Sequence, residues 1–336
     1  MNQTVAEAHL GSTQPYGMAS NSSCSARHMI SRSGPILAQA AFGLARFAWG
    51  VLIVLAAQGP AVATDVSAGR LTTVEYKRVG EEVLLLDVRA PQRPASTVND
   101  KSNLRPVVIT VHGGGWGSGD RKTDFPSVLQ TLTDAGYICV SMDYRLSPKH
   151  RWPACREDVE DAVGWTKAHI REHGGDPDRM AILGYSAGGQ LAFWAAIRDQ
   201  PPHKLKALIG LAPATDFLED LGRRSGPSKA LRDLMDCQDG EPFEKTLLRL
   251  YDASPINHLH AALPPILLIH GTEDRSVPLQ QSIHIQQKLG EKRWRLPCEI
   301  YKVEGAPHRQ ADWDKHDPRY KQKLLDWIGE RLNRAE

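Results

Sequence analysis

The run Met180-Ala-Ile-Leu-Gly184-Tyr185-Ser186-Ala187-Gly188-Gly189-Gln190-Leu-Ala-Phe-Trp-Ala-Ala-Ile197 changes character halfway along. Met180–Gly184 reads as a short apolar strand, and Ala187–Arg198 reads as a helix. Between them Gly184 and Gly188 flank a single serine in the pattern G-x-S-x-G. A strand that passes into a helix through so few residues needs a tight, strained turn, and two glycines leave space for it. Such a turn lifts the Ser186 hydroxyl above the end of a sheet. It also points the Ala187 N–H towards the place where an oxyanion would develop. An ordinary glycine-rich turn satisfies the pattern equally well, so the strand before it and the helix after it carry the weight.

The same alternation extends outward from this turn. Leu71–Val79 and Val83–Ala90 read as two strands joined around Gly80, and Pro94–Leu104 as a polar loop. Pro106–Val111 and Tyr137–Met142 are compact apolar runs suited to strands buried on both faces. Phe125–Ala135 has helical period. Pro153–His173 is a longer amphipathic helix in which Val159, Ala162, Val163 and Ile170 share one face, ended by Gly174-Gly175-Asp176-Pro177. Ala207–Leu211 and Ile266–Ile269 are further strands. Leu279–Leu289, Cys298–Val303 and Tyr320–Leu332 continue as helix, strand and helix. Residues 216–256 carry no strand. Their leucines (Leu218, Leu221, Leu231, Leu234, Leu247, Leu248 and Leu250) alternate with charges, as in an amphipathic cap packed over the sheet. The expected architecture is one α/β domain over residues 64–336, with a mostly parallel sheet, helices on both faces and an antiparallel pair at its start.

A second chemical signal is His112-Gly113-Gly114-Gly115-Trp116, directly after the strand that ends at Val111. Consecutive glycines let the backbone approach a substrate and turn N–H groups inward, as a site that stabilises negative charge on a carbonyl oxygen requires. A phosphate loop is the competing use of such glycines, but the lysine and spacing of a P-loop are missing, and so is G-x-G-x-x-G.

The two motifs in this order resemble the α/β-hydrolase fold, and more narrowly the hormone-sensitive-lipase-like esterases with their HGGG loop. Asp143-Tyr144-Arg145-Leu146-Ser147-Pro148-Lys149-His150, followed by Trp152-Pro153-Ala154 and Glu157-Asp158, is similar to the YRLxPEHxxPAxxxD segment of that branch, with Lys149 in place of the usual glutamate. The chain is also similar to bacterial exported esterases grouped with acetylxylan and feruloyl esterases. The resemblance spans roughly Val107 to His308. It implies a triad in the chain order serine, acid, histidine. His270-Gly271-Thr272-Glu273-Asp274-Arg275-Ser276-Val277-Pro278 resembles the family's HGxxDxxVP segment and makes Asp274 the expected acid, with Glu273 the neighbouring candidate. Glu304-Gly305-Ala306-Pro307-His308 follows the last strand and makes His308 the expected base. Pro307 stands where relatives often have glycine. His316, in the charged stretch DWDKHD, is the second candidate; His258, His260 and His284 fall outside the expected positions. The implied oxyanion donors are the amides of Gly114, Gly115 and Ala187, with Gly113 ranked behind them. His112 is expected to brace that loop, and Gly184 and Gly188 to shape the turn.

The chemistry this implies is hydrolysis of small or short-acyl carboxylic esters, carbohydrate acetyl esters among them, through an acyl-enzyme on Ser186. It requires no metal and no organic cofactor. Two other readings remain: an arylformamidase or amide hydrolase using the same triad, and a catalytically silent ligand-binding protein on a hydrolase fold. A peptidase of the prolyl-oligopeptidase kind would need a propeller domain, for which residues 64–336 leave no room.

Composition narrows the partners. The 336 residues carry 41 Lys+Arg against 39 Asp+Glu, a net charge of +2, with 41% hydrophobic and 24% charged residues. This is the balance of a globular protein, without the basic excess of a nucleic-acid binder. Residues 1–63 hold Arg27, Arg32 and Arg46 but one acid, Glu7, so the rest of the chain is formally neutral. Arg46, the apolar run Phe47–Ala57, Gln58-Gly59-Pro60 and Ala61-Val62-Ala63 follow the order of an export signal cleaved after Ala63. Either Met1 or Met29 serves as its start. The run is too short for an ordinary membrane span, and an uncleaved anchor is the alternative. The expected location is periplasmic or secreted, with no membrane span left after cleavage and the oligomeric state open. Cys24 precedes the cleavage point. Cys139, Cys155, Cys237 and Cys298 follow it without metal-like spacing. Cys139 is expected as a buried thiol, and a Cys155–Cys237 pair is left open.

Overall fold

The computed structural model describes residues 70–91, 104–199, 201 and 203–333. The export signal expected at 47–63, Cys24 and most of the 94–104 loop lie outside these residues. Eight strands form one sheet: β1 (Arg70–Val79), β2 (Glu82–Ala90), β3 (Arg105–Val111), β4 (Ile138–Met142), β5 (Gly175–Tyr185), β6 (Ala207–Leu211), β7 (Ile266–Gly271) and β8 (Cys298–Val303). Their spatial order is β1-β2-β4-β3-β5-β6-β7-β8. β1 and β2 form an antiparallel hairpin turned at Gly80, whose φ of 60° suits glycine. β2 meets β4 antiparallel, and every pairing from β4 through β3 to β8 is parallel. This is the α/β-hydrolase fold.

Alternation along the central strands supplies two separate cores. Val107, Ile109 and Val111 of β3, with Met180 and Ile182 of β5, face one side. Val108, Ala181 and Leu183 face the other. Side chains of successive strand residues point to opposite faces, so a strand covered on both sides is apolar at every position. On the first side lie α2 (Ala154–His169), α3 (Ala187–Ile197) and α7 (Gln280–Glu291). On the second lie α1 (Pro126–Asp134) and α8 (Arg319–Leu332). The helix α3 is apolar except for Gln190 and buried from Ala187 to Ala196, as suits a central helix. Pro106 sits in β3 where the pairing to β5 shifts register, at a position that needs no ladder N–H.

Two elements differ from the sequence reading. Gly175-Asp176-Pro177, read as the break after α2, already belongs to β5, which runs from Gly175 rather than Met180. The predicted 153–173 helix is α-helical to His169 and finishes as a 3-10 turn, Ile170–His173. Its last residue leads into Gly174 at φ 84°, the left-handed cap that lets the chain reverse. The strand-free 216–256 region folds as α4 (Phe217–Arg224), α5 (Lys229–Met235) and α6 (Phe243–Ala253). Leu221, Leu231, Leu234 and Leu250 of this region are buried, whereas Leu248 points to solvent.

The YRLxP-like segment fastens α2 to the sheet. The Arg145 guanidinium grips the fully buried Asp158 at 2.8 Å, and Lys77 from β1 reaches the same carboxylate at 2.6 Å. Lys149, where relatives carry glutamate, pairs with Glu82 at 2.7 Å on the surface. The four described cysteines are free thiols, with Cys139 and Cys155 buried. Burial pushes both of these thiols up to about 12.

Candidate active site

Parallel strands leave their carboxyl ends on one edge of a sheet, and loops that follow neighbouring strands converge there. β3 leads into His112, β5 into Ser186, β7 into Asp274 and β8 into His308. Ser186 has φ 53° and ψ −118°, a conformation that a non-glycine residue holds only under strain. The surroundings enforce it. A Cβ on Gly184 would stand 2.1 Å from the Gly188 carbonyl oxygen, and one on Gly188 would stand 2.2 Å from the carbonyl oxygens of both Val111 and His112. The Ser186 N–H donates to Leu211 at 3.0 Å, and its carbonyl accepts from Ala214 at 3.2 Å. Both glycines of the G-x-S-x-G pattern are thus required by close approach.

His308 Nε2 lies 2.9 Å from Ser186 Oγ, and His308 Nδ1 lies 2.6 Å from Asp274 Oδ2. The other carboxylate oxygen of Asp274 accepts N–H bonds from Ser276 and Val277, both at 2.9 Å. Burial alone would raise the Asp274 carboxyl. Its hydrogen bonds with His270 and His308 and to the Val277 amide outweigh that and hold it at about 2. His270 is itself anchored, with Nε2 2.8 Å from the Val277 carbonyl and Nδ1 2.8 Å from Ser282 Oγ. Glu273, the neighbouring candidate acid, is exposed.

The other histidines are engaged elsewhere. His316 is exposed beside Gly305. His258 packs against Trp194, His260 meets the Ile197 carbonyl at 2.9 Å, and His284 faces Asp216 at 3.3 Å. Around Pro307 the backbone demands glycine at two other positions. A Cβ at Gly271 would strike the Ala306 carbonyl at 2.3 Å, and Gly305 takes the positive φ of 71°. The Pro307 carbonyl then accepts a bond from Trp313 Nε1 at 2.8 Å.

The glycine loop curls beside Ser186. Gly114 and Gly115 have φ of 99° and 59°. Among the described residues no acceptor takes the N–H of Gly114, Gly115 or Ala187, whereas the Gly113 N–H is occupied by Asp124 Oδ2 at 2.8 Å. Gly113 therefore has no free donor to offer. His112 is buried, stacks on Tyr144 at 4.1 Å, and donates from Nδ1 to the Gly113 carbonyl at 2.8 Å. Burial lowers its pKa against that bond, which keeps the imidazole neutral in a bracing position.

A cavity of about 500 Å³ opens onto Ser186, His308, Gly114 and Gly115. Trp116, Phe217, Leu231 and Val277 supply apolar wall; Asp216, Asp220, Arg224 and Ser228 supply polar wall. The indole of Trp116 packs edge-on against Phe217 at 5.4 Å and is fixed by Gln190 Oε1 at 3.0 Å. The cap thus contributes part of the cavity wall in addition to packing on the domain. Among the described residues no group of three or more His, Cys, Asp or Glu is arranged to hold a metal ion, and no helix is long and apolar enough to cross a membrane.

Sequence reasoning missed several supports. Tyr185 stacks on His308 at 5.2 Å and donates its hydroxyl to the His308 carbonyl at 2.9 Å. Its place inside G-x-S-x-G, next to Ser186, was the available signal. Asp124, Gln190 and Trp313 carried none, because their partners are distant in sequence or are backbone atoms.

The chain is similar in sequence and fold to several known proteins. The BD-FAE family profile matches residues 95–289. Over 198 residues the chain is 32% identical to "Probable carboxylic ester hydrolase LipM" of Mycobacterium tuberculosis, covering 54% of this chain and 44% of LipM. Over 199 residues it is 34% identical to the esterase LipC of the same organism, covering 55% and 48%. The chain spans about half the length of the curated relatives it matches. Among solved structures, a truncated carbohydrate esterase from gut microbiota superposes with a TM-score of 0.66 at 20% identity, covering 80% of this chain and 98% of that one, a likeness of fold.

Proposed function

The chain belongs to the BD-FAE family, and on that premise we propose that it is a serine carboxylesterase hydrolysing small or short-acyl carboxylic esters through an acyl-enzyme. The observation that carries the proposal is the unbroken line of hydrogen bonds from Ser186 Oγ through His308 to Asp274, lying beside three N–H groups that have no other acceptor among the described residues.

His308 Nε2 takes the hydroxyl proton as Ser186 Oγ forms its bond to the ester carbonyl carbon. The Gly114, Gly115 and Ala187 amides receive the resulting oxyanion, each at about 3 kcal/mol in sites of this kind. Asp274 stays ionised, fixes the Nδ1–H tautomer and stabilises the imidazolium. When the tetrahedral adduct collapses, the ester C–O bond breaks and the Nε2 proton passes to the departing alkoxide. Water then gives its proton to Nε2 while adding to the acyl carbon, and the second collapse returns Ser186 and releases the acid.

The short-acyl preference is supported by the cavity's volume of about 500 Å³ and the apolar wall that Trp116 and Phe217 form along it. The polar side formed by Asp216, Asp220, Arg224 and Ser228 suits a hydroxylated alcohol part, and the carbohydrate esterase of like fold is consistent with that. Export belongs to the same reading. It is supported by Arg46, the Phe47–Ala57 run and Ala61-Val62-Ala63, and N-terminal sequencing of the mature protein tests it.

Hydrolysis of p-nitrophenyl acetate, butyrate and decanoate and of acetylated xylan, by the wild type and Ser186→Ala, tests the function. The expected order is acetate or butyrate above decanoate, with the variant inactive. Undiminished turnover by Ser186→Ala would overturn the mechanism. Tight binding of a small molecule without turnover of any ester would identify a silent binding protein instead.

A further inference from the structure

Gly113, one residue before the proposed oxyanion donors, is held through the two peptide groups that flank its Cα. Its carbonyl accepts from His112 Nδ1 at 2.8 Å and from the Tyr144 hydroxyl at 3.1 Å. Its N–H donates to Asp124 Oδ2 at 2.8 Å. His112 and Tyr144 lie in segments that the sequence motifs single out; Asp124 does not. Asp124 is half-buried, lines the cavity, and has a φ of 60°. Phe125 follows it at φ 56°. Two successive non-glycine residues in the left-handed region are unfavourable unless the surroundings over-determine them.

What holds them is visible. Phe125 is buried and packs edge-on against Tyr185 at 6.1 Å, while Tyr185 stacks on His308. The space between these parts is closed: a Cβ on Gly113 would meet Tyr185 at 2.9 Å and Asp124 Oδ2 at 3.2 Å. The strained pair therefore joins the two halves of the site. Asp124 aligns the glycine loop, and Phe125 abuts the tyrosine that supports the histidine.

We propose that Asp124 is a positioning residue for the oxyanion hole. By fixing the Gly113 N–H it sets the direction in which the next two amides, Gly114 and Gly115, point into the cavity. The proposal rests on the serine-esterase reading above. Because an oxyanion exists only in the transition state, loss of this alignment lowers kcat and leaves ground-state binding largely intact. A displacement near 1 Å at a reacting centre costs about 10²-fold, so the expected loss is roughly 10- to 100-fold.

The test uses Asp124→Ala, Asp124→Gly and Asp124→Asn in the full chain. Asparagine keeps an acceptor oxygen for the Gly113 N–H. Glycine accepts φ 60° without strain, so it folds where alanine fails, yet it lacks the acceptor. Active sites are titrated with a fluorophosphonate, and kcat, KM for p-nitrophenyl butyrate and Ki for an alkylboronic acid are measured. The expected result for Asp124→Gly is kcat down about 10- to 100-fold with KM within about threefold, and Ki for the boronic acid raised in parallel with the loss in kcat/KM. Asp124→Asn should recover most of kcat. Full kcat per titrated site in Asp124→Gly, or a loss confined to KM, would overturn the role. A wild type that neither reacts with the fluorophosphonate nor turns over esters would instead overturn the esterase reading on which it rests.

Discussion

Gly188→Ala is a small change with a computable obstacle. The added methyl would stand 2.2 Å from two backbone oxygens, those of Val111 and His112, about 1.2 Å inside the 3.4 Å at which ordinary contact begins. Neither oxygen can rotate away, since both belong to the chain leaving β3 for the glycine loop. Either α3 retreats from β3 or the His112–Gly115 loop retreats from Ser186, and both movements widen the gap between nucleophile and oxyanion donors. Overpacking of this kind costs about 2–3 kcal/mol, which for a domain of this size lowers Tm by about 4–12 °C. A shift near 1 Å at the reacting centre should also lower kcat by about 10²-fold. Gly164→Ala is the matched control. Gly164 lies exposed on α2 with no atom of the described residues within 4 Å of its would-be Cβ. The helix there should gain about 0.5–1 kcal/mol, raising Tm by about 1–4 °C with kcat unchanged. Calorimetry and p-nitrophenyl butyrate kinetics on the two variants check both arms. A Gly188→Ala protein with wild-type Tm and kcat would refute the close packing of the turn on the glycine loop.

Three further outcomes follow from the same geometry. Asp274→Asn should lower kcat by about 10³–10⁴-fold because the imidazole loses its orienting carboxylate, whereas Glu273→Gln stays within about twofold. His308→Ala should be nearly inactive while exposed His316→Ala stays within about twofold in the same assay, and the reverse would move the base. In acid, Asp274 contributes stability because its folded pKa, about 2, lies below the ordinary 3.8. That contribution is fully present above the ordinary value and is lost as pH falls through the folded one. Urea unfolding of the wild type and Asp274→Asn at stepped pH should show their gap shrinking by about 2 kcal/mol between pH ~4.5 and ~1.5. A gap that is flat across this window would remove Asp274 from the ionised network.

Much of the fold was legible because its signals are local. The apolar runs within β3 to β7 are continuous, as double-sided burial demands, and the helix after Ser186, apolar apart from Gln190, belongs in the interior. The misplaced start of β5 has the opposite cause. Gly175, Asp176 and Pro177 are poor strand residues by propensity, and the extension exists because β3 lies alongside to pair Arg105 with Gly175. Lys149 is a similar case: the departure from glutamate was visible, but its partner Glu82 lies far away in sequence at the start of β2 and emerges only from the packing.

By itself the sequence determined the turn at Ser186, the glycine loop, the strand–helix order and hence the edge at which a site could form. These depend on steric limits within a few residues, which residue type expresses directly. The family-like segments already pointed to Asp274 and His308; tertiary structure alone decided that both meet Ser186, that Gly113 spends its N–H on Asp124, and that Tyr185 carries His308. His308 and Ser186 are 122 positions apart, and their contact is set by the β5-β6-β7-β8 order that brings four loops to one edge. Local preference cannot encode that distance. Strand pairing and the burial of two cores impose it.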